Sequence, residues 1–191
     1  MSDQSQDTKA MLEKVEQTIE QLTETVEDLK NAVPKDKLSI GIISGDLDRI
    51  LAAFIVALGA VAYDMEVHLF FSFWATAALR DPKKTAKKNF LGKMFGWMLP
   101  KGSKKLKLSK MNMAGMGPKM IRGLMEKNGV PSLEDMIKQA GEFGIQIHVC
   151  EMSMNLMGFK QEEMIDYPNM DFVGVATFLA LGEDGKITFF L

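Results

Sequence analysis

With 191 residues, 47% hydrophobic and 25% charged, the chain is long enough for one α/β domain plus an appendage and short for two full domains. Its net charge of −2 predicts nothing about partners by itself, but residues 1–33 carry 3 basic and 8 acidic side chains (net −5), whereas residues 80–127 carry 14 basic and 2 acidic (net +12). A single cysteine excludes an internal disulfide framework, the polar start MSDQSQDTK has no signal-peptide pattern, and the longest uncharged apolar run, 14 residues from Ile50 to Tyr63, is shorter than the roughly 20 that span a bilayer, so a cytoplasmic protein without membrane association is expected.

The first element has the clearest periodicity. Leu12, Val15, Ile19, Leu22, Val26, Leu29 and Val33 are spaced 3, 4, 3, 4, 3, 4, an a/d seam on a helix that must bury one narrow stripe against another helix. Pro34 ends it. Residues 1–36 are therefore read as a heptad helix, forming a coiled coil or lying on its own domain, and residues 37–191 as the α/β domain. Within that domain LSIGIIS (38–44) is a buried parallel strand, Leu47 to Tyr63 a helix entered through GDLD, and EVHLFFSF (66–73) a second strand. Strand, long helix, strand with no hairpin signal implies a parallel pair joined by a right-handed crossover.

Residues 80–117 form a basic, methionine-rich insert in which lysines alternate with Phe90, Leu91, Met94, Phe95, Trp97 and Met98. It reads as a lid or partner surface, or as an amphipathic helix from Lys87 to Leu99 packed on the domain with its lysines in water. Its aromatics sit at helical spacing, which suits a hydrophobic face better than a nucleic-acid stacking platform. PKMIRGLMEKNG and SLEDMIKQAGEFG are helices, the second capped by Ser132. IQIHVC is the third strand and MSMNLMGF a short helix or turn. FVGVATFLAL (172–181) reads as a fourth strand, with ITFFL after the EDGK turn as an antiparallel fifth.

Ligands of an open parallel sheet gather beyond the carboxyl ends of its strands. There the order of elements places Cys150, followed by Met152 and Met154, with Ser44, Gly45 and Asp46 of the first strand and Phe73 and Trp74 of the second. A helix starting after Cys150 would favour its thiolate. His148, two residues earlier on the same strand face, is a candidate for tuning the thiol. His68 and His148 have no metal-ligand spacing with one another or with Cys150, and neither a dinucleotide fingerprint nor a P-loop occurs, so no metal and no cofactor are expected.

Three separated blocks, KLSIGIISGDLDRILAAFIVALGAVAYDMEVHLFFSFWATAALR, FLGKMFGWMLPKGSKKLKLSKMNMAGMGPKMIRGLM and GIQIHVCEMSMNLMGFKQEEMID, resemble the DsrE/DsrF-like proteins over about residues 37 to 181. The branch is the one labelled peroxiredoxin-like and associated with rhodanese and TusA-like sulfur carriers. The resemblance implies a mostly parallel, flavodoxin-like sheet of about five strands with flanking helices, assembled as a homo-oligomer (trimer or hexamer). It also implies a strand-end cysteine, Cys150 here, that holds sulfane sulfur as a persulfide and relays it between donor and acceptor proteins of rhodanese or TusA type. The second cysteine of some relatives is absent. Two other classes stand beside a sulfurtransferase-like carrier: an oligomeric scaffold with a buried, inert Cys150, and a small-ligand or flavin-binding protein.

Overall fold

A computed structural model describes residues 2–88 and 90–191. The chain divides into two compact units, Met1–Lys35 and Asp36–Leu191. The first holds one helix, α1 (Ser2–Ala32); its six seam residues from Leu12 to Leu29 and Val33 just past its end are all exposed. The hydroxyls of Thr18, Thr23 and Thr25, which flank the seam, donate to the carbonyls of Lys14, Ile19 and Gln21 one turn back, so these side chains are satisfied within their own helix.

The second unit is built on five strands in the order β4-β3-β2-β1-β5. Lys35–Ile42 (β1), Glu66–Phe71 (β2), Gln146–Cys150 (β3) and Met170–Val173 (β4) run parallel to their neighbours. Alternation places Leu38, Ile40, Ile42, Val67, Leu69, Phe71, Ile147 and Val149 on one face, where they form the main core with α2 (Leu47–Val61) and α5 (Leu133–Glu142). Ser132 caps α5 through a full capping box with Asp135. The insert carries α3 (Phe90–Met98) and α4 (Met116–Lys127), and α6 (Glu151–Leu156) follows β3 directly.

The carboxyl-terminal quarter departs from the alternating reading. The run FVGVATFLAL is not one strand: β4 ends at Val173, Gly174 caps a helix α7 (Val175–Glu183), and β5 (Gly185–Phe190) follows. Leu191 donates its N–H to Gly41 O and accepts at its own carbonyl from Ile43 N–H, the bond pair of a parallel ladder beside β1. A parallel strand on the far edge of the sheet needs a crossover rather than a hairpin turn, and α7 supplies it. Its Phe178 stacks on Phe70 at 5.0 Å and meets Phe190 edge-on at 5.1 Å. Gly41 makes room for this cluster, since a Cβ there would lie 2.3 Å from the Phe190 ring.

Candidate functional site

The face of the sheet opposite the main core is unusually polar. By strand parity it carries Ser39, His68, Phe70, Ser72, His148, Cys150, Asp171 and Val173, and Ser39, His68, Ser72 and His148 are buried there. Cys150 ends β3 and lies at the N-cap of α6, so its side chain sits where the last strand residue meets the first free backbone N–H groups of a helix. Cys150 is 2% exposed and packs in a small cluster with Phe70, Phe178 and Val173. Burial is the strongest influence on the thiol and pushes its pKa up. Hydrogen bonds to sulfur from the Ser153 hydroxyl and N–H, the Ser72 hydroxyl and the Met152 N–H together outweigh it and hold the pKa below the ordinary thiol value. The Ser72 and Ser153 hydroxyls also meet each other at 2.8 Å.

His148 does not bond to the sulfur. Its Nε2 is 3.0 Å from His68 Nδ1 and its Nδ1 is 2.6 Å from Asp171 Oδ1, while His68 Nε2 is 3.0 Å from Glu66 Oε1. The two imidazoles stack at 5.2 Å, so a continuous polar chain crosses β2, β3 and β4 one step along the sheet from the cysteine. Burial holds His68 below the usual imidazole pKa. Glu66 opposes this, and His148 and Lys37 add to it. Among the described residues no group of three or more His, Cys, Asp and Glu side chains is arranged to hold a metal ion.

The remaining sequence-predicted residues separate into three places. Ser44, Gly45, Asp46 and Trp74 do come together, lining a cavity of about 580 Å³ with Arg49, Lys107 and Leu191 beyond the carboxyl ends of β1 and β5. Cys150 does not line it. Gly45 is required by close approach, since a Cβ would fall 2.7 Å from the Trp74 carbonyl. Phe73 is half-buried with φ of 45°, at the turn that carries the chain from Ser72 to Trp74. Met152 is exposed beside Cys150, whereas Met154 is buried in the main core. Ser72, Ser153, His68, Asp171, Arg49 and Lys107 join these groups without having been singled out by sequence. Ser153, three residues after the cysteine at the N3 position of α6, carried a readable signal.

The chain is 46% identical over 156 residues to the uncharacterized protein YrkE of Bacillus subtilis (strain 168), covering 81% of this chain and 96% of that one. It is 29% identical over 159 residues to the sulfur carrier protein DsrE2 of Allochromatium vinosum, covering 81% and 98% of the two chains. Residues 34–190, which hold the whole sheet and its flanking helices, match the model of the DsrE/DsrF/DrsH-like family, and the chain belongs to that family.

Proposed function

We propose that this protein is a cytoplasmic sulfur carrier that holds one sulfane sulfur on Cys150. The observation that carries the reading is the place of Cys150, a lone cysteine at the end of β3 and the N-cap of α6, and a thiol pKa held below the ordinary value accords with it. A relative named as a sulfur carrier supports it. In the first step the Cys150 thiolate attacks the outer sulfur of a donor persulfide R–S–SH, the donor S–S bond breaks, and Cys150–S–SH forms as RS⁻ leaves. In the second an acceptor thiolate attacks the same outer sulfur and Cys150 returns as thiolate. Each step is an exchange with no net oxidation, and needs no cofactor.

Donor and acceptor are read as rhodanese-like or TusA-like proteins. Exposed Met152 and Leu156 on α6 and Trp74 at the end of β2 offer the rim on which they would dock. Arg49 and Lys107 give the neighbouring cavity a positive side suited to an anionic sulfur species. The α1 seam is read as the element through which subunits associate. After incubation with polysulfide, intact-mass analysis should show wild type gaining sulfur and Cys150→Ser gaining none; equal gain by both sinks the reading. The 2% exposure of Cys150 favours a second reading, a scaffold with an inert thiol, under which native wild type takes up no sulfur and resists alkylation.

A further inference from the structure

Helix α3 is turned the wrong way for an ordinary surface helix. At 100° per residue, Phe90, Met94, Trp97 and Met98 share an arc of about 100°, and all four are exposed, Phe90 at 81% and Trp97 at 87%. The opposite side carries Gly92 and Gly96. Gly92 is buried against Gly158, so closely that a Cβ on Gly158 would lie 2.5 Å from the Gly92 Cα. The Gly96 carbonyl accepts from the Arg80 guanidinium at 3.3 Å, and Arg80 also donates to the Pro100 carbonyl at 3.2 Å. Arg80 is itself buried, 4.4 Å over the Phe159 ring and 3.7 Å from Glu163, which pairs with Lys88 at 2.5 Å. The helix is thus gripped from below by its backbone and glycines, and the apolar side chains that would normally do the gripping point to solvent.

The segment that carries this ridge is strongly positive. Residues 82–125 contain 12 Lys and Arg and no Asp or Glu, and Lys87, Lys93, Lys104, Lys105, Lys107 and Lys110 are exposed. A short helix with Phe, Trp and Met on one side and lysines around it is the pattern of an element that lies in the plane of a bilayer interface, with the aromatic rings at headgroup depth and the lysines on anionic headgroups. An acidic protein surface would satisfy the lysines but leave a single-helix ridge of four large apolar side chains needing a matching groove. A fluid lipid surface needs none.

We propose that α3 is an interfacial anchor that places this protein reversibly on the surface of an anionic membrane. No helix among the described residues is long and apolar enough to cross a membrane, and an in-plane anchor requires no such span. The proposal does not depend on sulfur transfer at Cys150. It is tested with the full chain and vesicles of phosphatidylglycerol and phosphatidylcholine, against vesicles of phosphatidylcholine alone. Trp97 is one of two tryptophans, so in a Trp74→Phe background its emission reports the ridge alone. Anionic vesicles should shift that emission to the blue and carry the protein into the pellet, at least tenfold less so at high salt. Phe90→Ser with Trp97→Ser, both on exposed side chains, should abolish sedimentation while leaving the far-ultraviolet circular dichroism unchanged. Protein that stays in the supernatant, as it would if the ridge served a protein partner, overturns the proposal. So does sedimentation that the double variant retains, which would assign binding to the lysines alone.

Discussion

Two hydroxyl protons near Cys150 have three places to go. Ser72 and Ser153 can each donate to the sulfur, and one must donate to the other across their 2.8 Å contact. At any instant only one hydroxyl proton is therefore left for the anion, and either serine can supply it. Ser72→Ala or Ser153→Ala should move the pH midpoint of Cys150 alkylation little, while the double variant loses a charge-assisted bond of about 1.5 kcal/mol and raises it by about one pH unit. Single-variant shifts that add up to the double-variant shift would show that the hydroxyls act separately. His68 sets a second pH dependence. Its folded pKa lies below the unfolded value of about 6.5, so between the two the unfolded chain binds more protons. The stability His68 contributes is then complete above about pH 6.5 and is lost as the pH falls from there through the folded value. Urea midpoints should drop on acidification across that window, and His68→Gln should flatten the drop.

At the scale of elements, the strand–helix–strand start, the Ser132 cap and the delivery of Cys150 to a strand end were legible because period, capping chemistry and length agreed. FVGVATFLAL was not, since a ten-residue run that is apolar except for Gly174 and Thr177 satisfies a buried strand and a buried helix equally, and only the distant pairing of β5 with β1 decides between them. Periodicity likewise groups Phe90, Met94, Trp97 and Met98 on one face but does not say which face looks inward. The expected helix from Lys87 to Leu99 is Phe90–Met98 with its apolar side outward; Asn89 and the Leu91 side chain, part of that expectation, lie outside the described residues. The partners of His148 and Cys150 come from other strands, so they required the sheet register. What holds α3 is the buried group of Arg80, Lys88 and Glu163, two cations sharing one carboxylate. Glu163→Gln leaves both cations buried without an anion, and should destabilise the domain by about 3 kcal/mol in urea unfolding. A cost near that of a surface pair, as for Lys138→Ala at the exposed Lys138–Glu142 bridge, would mean that the cluster relaxes into water.

For the whole molecule the open question of assembly centres on α1. Seven apolar side chains at strict 3, 4 spacing, six on this helix and Val33 just past its end, are exposed, and a helix that buries nothing along one stripe is poorly supported by propensity alone. Burying each fully in a second helix contributes about 1.5 kcal/mol or more, enough in sum to offset the cost of association. The flanking positions supply little charge complementarity: only Glu16 and Lys30 among them are charged, and Thr18, Thr23 and Thr25 are bonded to their own backbone. Residues 1–33 carry a net charge of −5, so like helices repel. Self-association through this seam should therefore strengthen with salt, the opposite of the salt response expected at the lysine-rich insert. Sedimentation equilibrium should give a smaller number of subunits for the chain lacking residues 1–33, and for Ile19→Asp with Leu22→Asp, than for wild type. If deletion and the double variant leave the subunit number unchanged, the seam is not where subunits meet, and association belongs to the α/β domain alone.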